Sequence, residues 1–415
     1  MRPPDGDTKM RVTIARLGHQ GDGIAEGPIY VPGALPGEEV EGQLSGDVLT
    51  APRIVTPVAA RVRPPCPHAR ACGGCALQHA EDGFVATWKT EVIRTALAAH
   101  GIEADLRPIV TSPAQSRRRA VLAGKRTKKG VILGFHGRAS DTVVPIPDCR
   151  LLHPDLMALL PALEELTAQA GSRKGALALN VTRSLTGADV AVLGGKTLDL
   201  DLRVALGALA DRHGFARLSW EDEVIAQAVP PEQALGAARV APPPGAFLQA
   251  TQEGQDALVS AVSETISGAK RVVDLFAGCG TFTLPTAADA EVHAVESAEA
   301  MLAALDRGWR NAAGLHRVTT EARDLFRRPL MAEELARFDA VIIDPPRAGA
   351  EAQVAELARS ALPVIAAVSC NPVSFARDAR TLIAGGYHLD WVQPIDQFRW
   401  SPHVELAARF SRASG

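Results

Sequence analysis

The chain holds 415 residues, 47% hydrophobic and 22% charged, with a formal net charge of −3. That length exceeds one ordinary core and predicts two or three globular domains. The charge excludes a bulk polycation, so nucleic acid can be met only by local clusters of basic residues. No apolar run reaches the roughly eighteen residues of a membrane span, and MRPPDGDTKMRVTIARLG lacks a signal-peptide stretch. A cytoplasmic monomer without a membrane partner is the expectation.

Residues 10 to 58 read as short strands. RVTIARLG and PIYVPG alternate polar and apolar residues, while GHQGDG and GALPGE supply turns. Such strands in so short a stretch suggest a small barrel of the oligonucleotide-binding type over residues 1–62, or on pattern alone an arbitrary β-module. The run LGHQGDGIAEGPIYVPGALPGEEV resembles the opening of the TRAM domain, an RNA-binding barrel attached to RNA-modifying enzymes, which implies an RNA partner.

Residues 63–245 predict a central α+β region with its chemistry at two places. Cys66, Cys72 and Cys75, in PPCPHARACGGCALQH, have metal-ligand spacing, and Cys149 in PIPDCRLL is the best fourth ligand. Spacing alone does not separate zinc from an iron–sulfur cluster, and His68 and His79 leave a mixed zinc site open. Six cysteines in a reducing compartment are not a disulfide framework. Between Thr111 and Ser140 stand Arg117, Arg118, Arg119, Lys125, Arg126, Lys128, Lys129 and Arg138, with no acidic residue. Interleaved Val121, Leu122, Val131, Ile132, Leu133 and Phe135 predict strands carrying those charges on an exposed face, which is either simply solvated or in contact with phosphate. Residues 154–215 read as mixed helix and strand without a functional signal. APPPG at 241–245 reads as a rigid linker.

Residues 246–415 read as α/β. RVVDLFAGCG, DAEVHAVES, FDAVIIDPP and LPVIAAVSC are apolar runs of the kind buried parallel strands show, and each ends on notable residues. Asp274 ends the first, with Gly278 and Gly280 in the following turn, where glycine lets backbone approach a ligand. Glu296 ends the next, placed to hold the two hydroxyls of a ribose. The turn is not G-x-G-x-x-G, and acidic residues end both strands. This resembles class I (Rossmann-like) methyltransferases, which implies S-adenosylmethionine as cofactor, with Asp324 of EARDLF near its adenine. Asp344, in IIDPPRAG, either orients an amine or base or simply ends a strand in a turn.

Cys370 follows an apolar strand, a position where a cysteine is more often a small buried hydrophobe than a catalyst. Its alternative is chemical. Carbon 5 of uracil becomes nucleophilic only after a thiolate adds to carbon 6, and a base must then remove the carbon-5 proton.

DPPRAG, SCNPVSFARD and the later HVE follow the order and wording of the RNA 5-methyluridine (uracil-C5) methyltransferase family, and AFLQATQEGQDAL resembles its F-x-Q segment. The resemblance implies Cys370 as nucleophile, Glu405 as base, and cofactor contacts at Gln249, Phe276, Thr281, Glu296 and Asp344. Thr281 stands where the family commonly has asparagine, and QFRWSPHVE departs from F-P-H-T-x-H-V-E while keeping His403 and Glu405. The cysteine spacing resembles that of the family's iron–sulfur branch. This implies a [4Fe–4S] cluster on Cys66, Cys72, Cys75 and Cys149, and 23S rRNA rather than tRNA as substrate. A tRNA-directed enzyme and a non-catalytic RNA-binding iron–sulfur protein are the alternatives.

Overall fold

The structure, a computed structural model, describes residues 9–412; residues 1–8, on which the reading of the N-terminus partly rests, and 413–415 lie outside the described residues. Strands Lys9–Leu17, Gly23–Ala25, Ile29–Val31, Glu39–Ser45 and Val48–Thr56 close into a small barrel. Its core is Ile14, Ala25, Val31, Ala34, Val40 and Leu49. Gly42 permits the closure, because a Cβ there would meet Leu49 Cγ and Thr50 O at 2.7 Å. Glu38 is buried, accepts from Leu35 N–H at 2.8 Å and pairs with Arg61, tying the barrel to the cysteine loop that follows.

The central sheet has seven strands, ordered Glu223–Gln227, Phe215–Trp220, Gly187–Leu193, Ala176–Ser184, Arg119–Thr127, Gly130–His136 and Val143–Pro145. Helices Leu160–Ala170 and Leu200–Arg212 supply Leu163, Leu166, Leu206 and Leu209 to the same core as Leu179, Val181 and Val190. The stretch 154–215 is therefore scaffold, in which helical and strand periods alternate as the sequence suggested.

The third sheet runs Val318–Ala322, Glu291–Glu296, Arg271–Leu275, Ala340–Ile343, Val364–Ser369, Glu405–Ser411, His388–Asp396 and Val110–Thr111. The first five are parallel, and Glu405–Ser411 lies antiparallel to both its neighbours. Strand order reverses between Arg271–Leu275 and Ala340–Ile343, and a crevice opens beyond the carboxyl ends at such a switch point. The outermost strand comes from far upstream: Val110 pairs with Ile395 and Thr111 with Asp396. Helix Asp82–Ala98 likewise puts Ile93 and Leu97 into one core with Val273, Val341, Phe375 and Phe410. These upstream segments, grouped by sequence with the central region, are in space part of the C-terminal layer. The cause is a helix whose apolar face finds its partners hundreds of residues later.

Candidate active site

A cavity of about 520 Å³ occupies the switch point. On its floor the backbone leaves Leu275 in a left-handed turn: Phe276 has φ 62°, Gly278 56° and Gly280 94°. Glycine is required at the last, where a Cβ would also lie 2.9 Å from Leu305 Cγ. The turn is held from the neighbouring strand. Glu296 Oε2 accepts from Gly278 N–H at 3.1 Å, and Oε1 accepts from Ser297 and Ala298 N–H at 2.7 and 3.0 Å. Acceptor capacity remains on Oε2, as a vicinal diol donor requires. The Phe276 ring meets Phe326 at 5.5 Å between centroids, giving the cavity an aromatic wall.

All eight residues assigned to catalysis or cofactor by sequence line this one cavity: Gln249, Phe276, Thr281, Glu296, Asp324, Asp344, Cys370 and Glu405. Cys370 sits between strand Val364–Ser369 and helix Pro372–Ala384. The two residues after it explain the abrupt change of period. Asn371 caps the helix by accepting from Val373 N–H at 3.1 Å, and Pro372 occupies its first position. Asn371 Nδ2 and Ser374 Oγ both donate to Arg347 O at 3.0 Å, fixing the Asp344–Arg347 loop over the cysteine.

The cavity is rich in carboxyls that prefer to be neutral. Burial pushes Glu405 up to about 7, against opposing effects of the Gln397 hydrogen bond and of Arg119 and Arg117. Desolvation and then Glu405 push Asp344 up to about 8. Asp274 lies beneath, fully buried and pushed to about 7 by desolvation, with Thr283 Oγ1 donating to its Oδ2 at 2.6 Å. Burial, then the charges of Glu405 and Asp344, raise the Cys370 thiol. Two acids and a thiol in one cavity compete for protons, the arrangement of an acid–base site.

Sequence reasoning missed several contributors. Gln397 is buried and donates both to Gln249 Oε1, at 2.5 Å, and to Glu405 Oε2. Its only sequence signal was the departure QFRWSPHVE from the family wording. The basic stretch also needs correction. Arg118, expected on an exposed face, is buried against Gln249 O, Gln252 Oε1 and Gln255 Oε1 at 3.0, 2.6 and 2.7 Å. Neutral acceptors satisfy it, so no acidic residue was needed nearby. Arg117 and Arg119 are half-buried, stacked over Phe398 at 5.1 Å and Phe247 at 4.5 Å, and both act electrostatically on Glu405. Lys128 and Lys129 are exposed as expected, and Arg138 docks on the barrel through Asp22.

The four cysteines of the expected cluster gather outside this cavity. Burial pushes Cys75 up to about 12, and the charges of Cys149, Cys72 and Cys66 act on it in the same direction. Gly74 N–H donates to Cys72 Sγ and Leu151 N–H to Cys149 Sγ, each at 3.4 Å, as suits sulfur destined to carry charge. His68 Nε2 accepts from Asp148 N–H at 3.3 Å, which counts against a mixed histidine site there. Among the described residues, however, no three His, Cys, Asp or Glu side chains are arranged to hold a metal ion. The donor chemistry fits a tetrathiolate site.

Comparison with known proteins agrees with the fold. Residues 242–412 match the family model for tRNA (uracil-5-)-methyltransferase. The chain is 45% identical to an RNA methyltransferase of Mesorhizobium japonicum, over 96% of this chain and 97% of the relative. It is 30% identical to the 23S rRNA (uracil(1939)-C(5))-methyltransferase of Pectobacterium atrosepticum, over 98% and 94%. Among solved structures it resembles the Pyrococcus abyssi tRNA (uracil-54, C5)-methyltransferase in complex with S-adenosyl-L-homocysteine. That match has a TM-score of 0.75 and 25% identity, and covers 97% of this chain and 99% of the other. With a switch-point cavity floored by a glycine turn and walled by a cysteine and a carboxyl, the chain belongs to the S-adenosylmethionine-dependent RNA uracil-C5 methyltransferase family.

Proposed function

We propose that this enzyme methylates carbon 5 of a uridine in 23S rRNA, with Cys370 as nucleophile and Glu405 as base. The carrying observation is that both side chains share one cavity with Gln249, Phe276 and Glu296, the residues proposed to hold the cofactor. S-adenosylmethionine, when bound, supplies an electrophilic sulfonium methyl. The Cys370 thiolate adds to carbon 6 of the uracil, and the electron pair displaced from the 5,6 double bond makes carbon 5 nucleophilic. Methyl transfer leaves carbon 5 bearing both methyl and hydrogen. Glu405 removes that hydrogen as a proton, the double bond re-forms, and the thiolate leaves. Asp344, raised and beside Cys370, orients the cofactor amine or the base through hydrogen bonds, and Asp324 and Thr281 complete the cofactor wall.

RNA is proposed to run from the N-terminal barrel, read as a TRAM domain, across the exposed Lys128–Lys129 turn toward Arg117 and Arg119 at the cavity. Cys66, Cys72, Cys75 and Cys149 are proposed to hold a [4Fe–4S] cluster with a structural or RNA-positioning role. No step above moves an electron, so none passes through it. Iron and acid-labile sulfide analysis of anaerobically purified protein tests this, and stoichiometric zinc without sulfide would overturn it. A tRNA substrate is the second reading, favoured by the full-length likeness to the tRNA (uracil-54, C5) enzyme.

The deciding experiment incubates the enzyme with labelled methyl donor and 23S rRNA or tRNA transcripts containing 5-fluorouridine. Fluorine at carbon 5 leaves no proton to remove, so a methylated covalent complex through Cys370 should accumulate on the true substrate. Ordinary uridine methylation with no trapped complex would refute the mechanism.

A further inference from the structure

Gln397 lies between Gln249 of the proposed cofactor wall and Glu405, the proposed base. Both N–H donors and the oxygen of its carboxamide are engaged. Oε1 accepts from Ala250 N–H at 2.6 Å, and Nε2 donates to Gln249 Oε1 at 2.5 Å and to Glu405 Oε2. A backbone N–H can only donate, so Ala250 dictates which end of the Gln397 amide is oxygen. That choice propagates. Gln249 must present its oxygen to Gln397, which leaves its NH₂ for the cavity. Glu405 has Oε2 engaged, which leaves Oε1 as the oxygen available to take a proton.

The site is built for this side chain. Gly254, in helix Gln252–Thr265, faces it so closely that a Cβ would lie 2.5 Å from Gln397 Cβ and 3.2 Å from Gln397 Oε1. Ala250 and Gln249 are themselves gripped by Arg118, whose guanidinium Nε donates to Gln249 O at 3.0 Å and whose backbone N–H donates to Ala250 O at 3.0 Å. Gln397 follows Asp396, whose pairing with Lys89 secures the chain at that point.

We infer that Gln397 is a positioning residue that sets the orientation of both Gln249 and Glu405, linking methyl-donor binding to the base. This rests on the function proposed above. Its hydrogen bond favours the ionised form of Glu405, as do Arg119, at the start of strand Arg119–Thr127, and Arg117 just before it. Asp396 on the adjoining strand opposes ionisation, and Asp344 and Cys370 compete with it across the cavity. Removing the donor therefore raises Glu405 further and frees the Gln249 amide to turn.

The test uses full-length enzyme with whichever unmodified transcript, 23S rRNA or tRNA, the wild type methylates. Gln397→Met keeps the volume and loses the donor. The acidic limb of its kcat profile should move about one unit to higher pH, the size of one charge-assisted hydrogen bond. KM for S-adenosylmethionine should rise several-fold while KM for RNA stays put, a split that loosened packing would not produce. Gly254→Ala, which retains the glutamine but pushes it aside, should shift the limb in the same direction and serves if the first variant does not fold. An unshifted profile and unchanged donor KM in a folded variant overturn the inference. Wild-type enzyme that methylates no uridine overturns instead the function beneath it.

Discussion

Lys89 Nζ lies 2.6 Å from Asp396 Oδ1, and neither side chain reaches solvent. The lysine comes from helix Asp82–Ala98 and also donates to Phe398 O at 3.2 Å, while Asp396 Oδ1 accepts from Phe398 N–H at 3.0 Å. One buried ion pair thus closes the turn that leads from strand His388–Asp396 toward Glu405. Burial lowers the Lys89 ammonium and the aspartate raises it back, so each charge is tolerated only because of the other.

Removing one partner should cost far more than removing both. Lys89→Met or Asp396→Leu alone leaves an uncompensated buried charge, a loss of about 3–5 kcal/mol, whereas the double substitution recovers much of it. Urea unfolding of the four proteins measures the coupling. If the single changes and the double change destabilise additively, the pair is not what holds this turn.

The pH dependence of turnover follows from the cavity's acids. Glu405 must be ionised to take a proton, and burial pushes it to about 7. Cys370 must be a thiolate, and burial with two neighbouring carboxyls raises it. Both requirements have the same sign, so kcat should climb with pH through about 7 and keep rising on the alkaline side. Turnover to released methylated RNA between pH 5.5 and 9 is the measurement, and a rate falling above pH 7 contradicts the assignment. Glu405→Gln should stall after methyl transfer, so a covalent RNA adduct should accumulate on ordinary uridine.

Stability should run the other way. Asp274, Asp344 and Glu405 all have folded-state values raised above those of free carboxyls. The folded state therefore holds protons that the unfolded state releases. This contribution is fully present below about pH 4, and is lost as pH rises through about 7 to 8. Asp344→Asn removes part of that loss. Its melting temperature should exceed the wild type's at pH 8 and approach it at pH 5, while methyl transfer falls sharply. Equal differences at both pH values would mean Asp344 is not held neutral by its surroundings.

How much of this was legible depends on the distance over which a residue finds its partners. Phe276, Glu296, Asp344 and Cys370 were readable because each directly follows an apolar run, and strand ends are where an α/β sheet presents side chains to a ligand. The barrel was readable from alternation and turn glycines within fifty residues. Arg118 was misread, since a cation without nearby acids looks solvated, and its neutral acceptors lie on Gln249–Gln255. Lys89 carried no local signal and Gln397 only the departure QFRWSPHVE, because their meaning arises only when helix Asp82–Ala98, the Gln249 segment and strand Glu405–Ser411 meet. The four cysteines show the converse: their spacing announced a ligand set, and the fold brings Cys149, from a distant segment, within electrostatic range of Cys75 along with Cys72 and Cys66.

Gly280 offers a test of the cavity floor that involves no titrating group. Its φ of 94° disfavours any L side chain, and a Cβ would press on Leu305 Cγ at 2.9 Å, Leu305 Cδ1 at 3.0 Å and Leu284 Cδ1 at 3.1 Å. Leu305 and Leu284 belong to one packed core with Val292 and Ala294, so neither can retreat freely. Gly280→Ala should therefore cost more than about 1 kcal/mol of stability. Because the turn also carries Gly278, whose N–H is anchored on Glu296, the strain should reach the cofactor wall. Calorimetric titration with S-adenosyl-L-homocysteine should show affinity reduced tenfold or more, with the fold retained. Gly314→Ala, at φ 76° but with nothing within 4 Å of the new Cβ, provides the comparison: backbone strain alone, and ligand affinity unchanged. Should Gly280→Ala bind as tightly as Gly314→Ala, the close approach at Leu305 does not shape the binding turn.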